Sequence, residues 1–325
     1  MKNSNDNSRV LRIGSRGSKL ALWQTHHIAD RLRAAGHAVE IEIIKTLGDA
    51  MQHVPFAEVG TTDRDAKGMF TKEIEEALYA GRIDLAVHSL KDLPTELAEP
   101  FTIAAIPERV DPRDAFVSVK YESFEALPQG ARIGTSSLRR QAQLKAQRPD
   151  MVCMEFRGNV DTRLRKLAEG QVDAILLASA GLERLGLTAH RRECFSPLIL
   201  CPAAGQGALA IEARAGDEGT LGALKFLEHE ATRYAVTTER AALAGLGGGC
   251  QVPIGVHCFA GDAGYSVLAA VAAPDGSEVL RVALDRQVEP AEELGRKVAE
   301  ELVRQGAERL LALGTPENGT RVAGA

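Results

Sequence analysis

Two junctions in this chain each occur twice. Arg12-Ile13-Gly14-Ser15 runs from an apolar strand toward a helical pattern, and Arg132-Ile133-Gly134-Thr135 does the same further on. Gly81-Arg82-Ile83-Asp84 and Gly170-Gln171-Val172-Asp173 each carry a helix into an apolar strand. The offsets, 120 and 89 residues, differ, so the chain holds no strict repeat. Shared αβ turn chemistry explains such echoes; so do two α/β domains of similar build with a cleft between them. In both cases strands alternate with helices, which calls for largely parallel sheets covered on both faces.

The periodicity predicts strands over Val10–Gly14, Val39–Thr46, Ile83–Val87 and Phe101–Ile106, with helices over Lys19–Ala35 and Phe70–Ala80. A second series has strands Ala115–Val119, Ala131–Thr135, Met151–Phe156 and Asp173–Ala178, with helices Ser137–Gln147 and Val160–Glu169. Between them Gly48–Gly68 fits no element, and structureless stretches of that length are usually functional, so it is read as a lid. The last third differs. Asp217–Leu246 is mostly helical; Ile254–Ala260, Tyr265–Ala273 and Glu278–Arg286 are strands on short turns; Pro290–Gln305 is a closing helix. That is a small α+β domain with an antiparallel sheet.

Composition excludes several classes. Across 325 residues the formal net charge is -5, which gives no general pull toward nucleic acid or an anionic membrane, so any basic site is local. Five cysteines without CxxC spacing suit neither a disulfide framework nor a zinc site; no metal is expected, and the reducing cytoplasm is the expected compartment. The longest apolar candidate, Ala241–Val256, is broken by five glycines and Gln251, and the polar Met1–Arg9 lacks a signal peptide's apolar region. A soluble cytoplasmic protein with no nucleic-acid or membrane partner is expected.

Four constellations could carry chemistry. Ser15-Arg16-Gly17-Ser18 and Thr135-Ser136-Ser137-Leu138-Arg139-Arg140 each bring hydroxyls, free N–H groups and guanidinium to a helix start, which favours carboxylate or phosphate. Capping plus solvent-facing arginines is the plainer reading of either alone. Arg157-Gly158-Asn159 with Arg163 can face the carboxyl edge of a sheet, or can lie on a solvated helix face. Arginine outnumbers lysine 28 to 11, and planar forks suit a ligand with several carboxylates. His88-Ser89-Leu90-Lys91-Asp92-Leu93-Pro94 closes a buried strand, as an anion binder and proton carrier or as a turn with a local ion pair. Cys250 follows three glycines, which leave a thiol unshielded, although buried structural cysteines are commoner.

Read together, these segments resemble the porphobilinogen deaminase (hydroxymethylbilane synthase) family. The matching runs include RIGSRGSKLALWQ (12–24), DLAVHSLKDLPTEL (84–97), DPRDAFVS (111–118), GTSSLRRQAQL (134–144), RGNVDTRLRKL (157–167), PAAGQGALAIE (202–212) and GGGCQVPIG (247–255), in the family's order, over about residues 10–310. The resemblance implies head-to-tail condensation of four porphobilinogen molecules with loss of ammonia, then hydrolytic release of linear hydroxymethylbilane. It implies a dipyrromethane cofactor on a thioether to Cys250, with Lys91, Arg139, Arg140, Ser89, Thr135 and Ser137 holding its carboxylates. Asp92 would be catalytic, helping ammonia leave and stabilising the azafulvenium cation. Arg16, Ser18, Arg157, Arg163 and Arg184 would meet substrate, with Gln206 near the interdomain connection. A monomer is expected.

The implied fold is two similar doubly wound α/β domains facing a cleft, periplasmic-binding-protein-like, plus the small C-terminal α+β domain. Domain 1 takes 9–108 and 203–224, because the apolar run Gly207–Arg214 follows the second series yet precedes the third; domain 2 takes 109–202 and domain 3 takes 225–315. The chain departs from the family at Asp161, where glycine is common, which places a negative charge near Arg157. A cytosolic polycarboxylate-binding protein of the two-domain solute-binding type is the alternative. A nucleotide enzyme is disfavoured, since neither GxxxxGK[ST] nor GxGxxG occurs.

Overall fold

The structure, a computed structural model, describes residues 9–46, 71–248 and 252–313. The stretch read as a lid, Gly48–Gly68, lies outside them, as do Cys250 and the tail after Leu313. In the first series come β1 (Leu11–Ser15), α1 (Lys19–Ala34), β2 (Val39–Ile43), α2 (Lys72–Tyr79), β3 (Leu85–Ser89), a 3₁₀ turn at Leu90–Asp92 and β4 (Phe101–Ala105). The second holds β5 (Asp114–Val117), β6 (Arg132–Gly134), α3 (Leu138–Gln147), β7 (Val152–Met154), α4 (Val160–Ala168), β8 (Ala174–Ala178), α5 (Ser179–Arg184) and β9 (Glu193–Cys194). Then follow β10 (Leu209–Arg214), α6 (Glu218–Leu224), α7 (Glu230–Gly245), β11 (Ile254–Gly261), β12 (Gly264–Ala272), β13 (Val279–Gln287), α8 (Ala291–Arg304) and α9 (Ala307–Ala312).

Among the described residues the strands form two five-stranded sheets, β2-β1-β3-β10-β4 and β7-β6-β8-β5-β9, and a three-stranded sheet β11-β12-β13. The first two share one plan. Four strands of each run in one direction, and β10 in the first and β5 in the second run against both their neighbours. The sheets are therefore largely parallel, as the alternation suggested, with one opposed strand each, because that strand reaches its sheet through the crossing segments rather than through a helix.

The sequence echo is now physical. Asp84 N donates to Arg12 O at 2.8 Å, and Arg12 N donates to Asp84 Oδ2 at 2.9 Å. In the other sheet Asp173 N donates to Arg132 O at 2.9 Å, and Arg132 N donates to Asp173 Oδ2 at 2.8 Å. The glycines that open these junctions, Gly81 and Gly170, have φ of 66° and 76°, the left-handed conformation that ends a helix. Both sheets are apolar on both faces. Phe116, Ile133 and Leu176 pack on one side of the second, and Ala115, Val117, Ile175 and Leu177 on the other. In the third unit Val267, Ala269 and Val271 of β12 alternate inward against Leu294, Val298 and Leu302 of α8. The short α9 after α8 was not apparent from sequence.

Two segments cross between the sheets, one near Arg109 and the other near Gly207. They run so close that a Cβ on Gly207, whose φ is +88°, would stand 2.6 Å from Val110 O. Glu239 of α7, fully buried, accepts from Gly205 N at 2.7 Å and from Cys258 N at 2.8 Å, so the third unit grips this crossing.

Candidate active site

Nearly every side chain singled out in sequence lies at the carboxyl end of a parallel strand, where open α/β sheets bind ligands. Arg16 and Ser18 follow β1, Ser89, Lys91 and Asp92 close β3, and Thr135, Ser137, Arg139 and Arg140 follow β6. Arg157 and Arg163 follow β7, and Arg184 ends the helix after β8. The equivalent ends of the two sheets face one another. Lys19 Nζ and Asp161 Oδ2 pair across them at 3.1 Å, and Leu20 and Val160 both approach Gly181.

At the centre is a buried polar group. Asp114 Oδ2 accepts from Arg139 Nη1 at 2.7 Å, and Asp114 Oδ1 accepts from Arg140 Nε at 2.9 Å and Nη2 at 2.6 Å. Arg139 Nη1 also donates to Cys201 O at 2.6 Å, and Arg140 Nη1 to Leu176 O at 3.0 Å. Gln206, fully buried, donates from Nε2 to Pro112 O at 2.7 Å and to Asp114 Oδ1 at 3.0 Å. Its Oε1 thus faces the other way and accepts from Lys91 Nζ at 3.4 Å. Burial acts to raise the Asp114 carboxyl, but Arg139 and Arg140 outweigh it and hold it well below the usual carboxylate range.

Around this core the field is cationic. Burial pushes the Lys91 ammonium down to about 8, with Asp92 acting against it and Arg140 adding to it. Burial likewise brings Arg163 down to about 10, helped by Arg140 and opposed by Asp92. Arg184 falls to about 10 through burial, and its Nη2 donates to Gly207 O at 2.6 Å. Asp92 itself is exposed, so one accessible carboxylate stands among cations from both sheets. Such a surface can hold a polycarboxylate and offers one proton carrier.

Other expected residues are engaged within the fold. Ser18 Oγ accepts from Ala21 N at 3.3 Å and caps α1. Ser89 Oγ accepts from the buried Gln24 Nε2 at 2.8 Å, and Thr135 Oγ1 from Ser137 N at 3.3 Å. Arg157 Nε donates to Glu155 Oε1 at 2.6 Å, and Arg163 Nε to Gly158 O at 2.7 Å. Strand alternation turns His88 away from Ser89, to 2.9 Å between its Nε2 and Glu212 Oε2. Asp161 pairs with Lys19 of the other sheet, so the negative charge that departs from the family's glycine is met by a cation there. The sequence reading missed Asp114, Gln24 and Glu239. Asp114 lay within the quoted DPRDAFVS run but had no visible partner there.

Cys250 lies outside the described residues. Its flank is defined: Gly248 closes α7 so tightly that a Cβ would stand 2.7 Å from Leu243 Cδ1 and 2.8 Å from Ile254 Cδ1. From the same helix Arg240 Nη2 donates to Pro94 O at 2.6 Å and Thr95 O at 2.9 Å, tying α7 to the loop after Asp92.

A sequence profile described as porphobilinogen deaminase, dipyromethane cofactor binding domain, matches residues 11–222, and one for that enzyme's C-terminal domain matches 233–304. The chain is 50% identical over 311 residues to a porphobilinogen deaminase of Nitratidesulfovibrio vulgaris (strain DSM 19637 / Miyazaki F), covering 94% of this chain and 96% of that one. It is also 50% identical over 303 residues to the porphobilinogen deaminase of N. vulgaris strain DP4, covering 92% and 95%. Among solved structures, a nutrient binding protein from Burkholderia cenocepacia bound to methionine aligns with a TM-score of 0.41 at 15% identity, over 66% of this chain and 90% of that one.

Proposed function

Because the chain belongs to the porphobilinogen deaminase family, we infer that the facing strand ends described above are where it joins porphobilinogen units. Its activity is that of a hydroxymethylbilane synthase, a transferase of tetrapyrrole biosynthesis with a dipyrromethane cofactor. The observation that carries the siting is Asp92, an accessible carboxylate with Lys91 beside it and Arg163 of the opposite sheet acting on it.

The donor set suits the cofactor: guanidinium groups, of which Asp114 uses only Nη1 on Arg139, hydroxyls beside them, and, among the described residues, no cluster of metal-ligating side chains. Lys91, Arg139 and Arg140 would hold its carboxylates, with Ser89, Thr135 and Ser137 alongside, and Cys250 would anchor it as a thioether. Bound there, the dipyrromethane supplies the pyrrole carbon at which the chain grows. Arg16, Arg157 and Arg163 orient the incoming porphobilinogen through its acetate and propionate. Arg184, held through Nη2 on Gly207 O, keeps its other nitrogens for the substrate's carboxylates, while Ser18 and Gln206, whose side chains cap α1 and bridge Pro112 O to Lys91, support the site from beside it.

Asp92 does the proton work. Its carboxylate can hold the ring N–H, stabilise the cation left on the substrate when ammonia departs, and take the proton displaced at the attacked carbon. Each of the three domains, 9–108 with 203–224, 109–202 and 225–315, then has a part: two grip carboxylates and the third carries the anchor. We place the enzyme in the cytoplasm as a monomer acting on a small molecule; five cysteines without CxxC spacing support a reducing compartment, and the net charge of -5 gives no general pull toward nucleic acid or an anionic membrane. The test is stoichiometry. Purified protein given porphobilinogen should release four ammonia per linear tetrapyrrole, whereas a two-domain anion binder releases none.

A further inference from the structure

We propose that Asp114 is a positioning residue: its one buried carboxylate sets the forks of Arg139 and Arg140 directly, and the ammonium of Lys91 through Gln206. The proposal rests on the function inferred above and adds to it a residue that touches neither substrate nor cofactor.

The geometry supports this at each step. Asp114 opens β5 in the second sheet, its side chain is fully buried, and both oxygens are used. Oδ2 takes Arg139, while Oδ1 takes Arg140 twice and Gln206 once. Two adjacent guanidiniums on one helix turn repel each other and would otherwise swing apart. A shared carboxylate offsets that repulsion and fixes both planes, and further anchors at Cys201 O and Leu176 O remove the remaining rotation. Among the described residues Arg139 Nε and Nη2 keep no partner, so the fork is held by one nitrogen and presents the others.

Gln206 extends the same control to the first sheet. Its amide cannot flip, because Nε2 already donates to two acceptors, Pro112 O and Asp114 Oδ1. The outward atom must be Oε1, an acceptor, and Lys91 Nζ donates to it. One carboxylate therefore sets three cations drawn from two sheets, at the spacing that the crossing segments impose.

The experiment compares wild type, Asp114→Asn, Asp114→Glu and Gln206→Leu, each expressed without a supply of porphobilinogen. Porphobilinogen is then added to the folded fraction, and the gain of dipyrromethane mass is followed in time beside thermal unfolding. Asp114→Asn should assemble cofactor more slowly, on the order of tenfold or more for the loss of a charge-assisted anchor. Asp114→Glu should recover part of that rate, because the charge is kept. Gln206→Leu, which spares both arginine pairs, should slow assembly and raise KM for porphobilinogen more than it lowers kcat. If Asp114→Asn yields no folded protein, Asp114→Glu and Gln206→Leu decide. Normal assembly rates and KM in the folded variants, with only the unfolding temperature lowered, would overturn the positioning role. Wild type that gains no dipyrromethane would instead overturn the functional reading, and the proposal with it.

Discussion

Arg109 and Glu239 meet as a two-pronged ion pair: Arg109 Nη1 lies 2.6 Å from Oε1 and Nη2 3.2 Å from Oε2, with the carboxylate fully buried. Arg109 Nε also donates to Gln206 O at 2.8 Å, so the pair joins α7 of the third unit to the crossing beside the site. Removing one partner strands a buried charge, which typically costs about 3–5 kcal/mol. Glu239→Ala should lose stability of that order in chemical denaturation. Replacing both partners by apolar residues of similar volume should cost less than the single change, and an equal or larger loss would count against the pair as the cause.

The Lys19–Asp161 pair bridges the same two sheets with both side chains largely in water. Exposed pairs contribute under about 1 kcal/mol and are screened by salt. Asp161→Gly should therefore leave denaturant stability within about that margin, and any rise in KM should vanish at high ionic strength. A large, salt-independent loss would mean that Asp161 acts on Arg157 or the backbone instead.

Lys91 gives a pH signature in protein prepared without dipyrromethane. Burial lowers its ammonium from 10.5 to about 8, with Asp92 and Asp114 opposing and Arg140 and Arg139 adding to the shift. Between those values the unfolded chain keeps the proton that the folded chain has lost, so this group's contribution to stability rises with pH across that window. Below about pH 8 Lys91 is charged in both states and its cost is fully present. Unfolding free energies from pH 7 to 10.5 should therefore show the difference between wild type and Lys91→Met shrinking as pH rises. A constant difference would remove the buried-ammonium cost.

Asp92→Asn should keep the fold and lose catalysis, by on the order of 10²- to 10³-fold in single-turnover rate, as expected for removing a strong electrostatic group. Asp92→Glu keeps the charge but shifts it by about one methylene, and should retain part of the rate. Because Asp92 is exposed, neither change should lower the unfolding temperature much. A near-normal rate for the amide would take Asp92 out of the mechanism.

What the sequence disclosed followed from local physics. The paired Arg-Ile-Gly and Gly-x-x-Asp junctions were visible because each is a turn with its own residue requirements, and the structure joins them by the same two hydrogen bonds in each sheet. Arginines at the helix starts after β1 and β6 were visible because a cation there opposes the helix dipole unless an anion sits beside it. The partners that set those arginines were not. Asp114 lies 25 residues from Arg139 and Gln206 lies 92 from Asp114, and only the crossing of two segments brings them together. The two antiparallel strands were also hidden, since β5 and β10 are apolar runs like their parallel neighbours and their direction depends on the route of the chain between sheets.

The central claim is that this site grows a pyrrole chain on a primer fixed to Cys250. The most direct test is the intact mass of the purified protein and of Cys250→Ser. The account predicts the wild type heavier than its polypeptide by one dipyrromethane and the serine variant at bare polypeptide mass, folded and without turnover, because a hydroxyl is far less nucleophilic than a thiolate. A wild-type protein at bare mass with full activity, or a serine variant that keeps the increment, would contradict it.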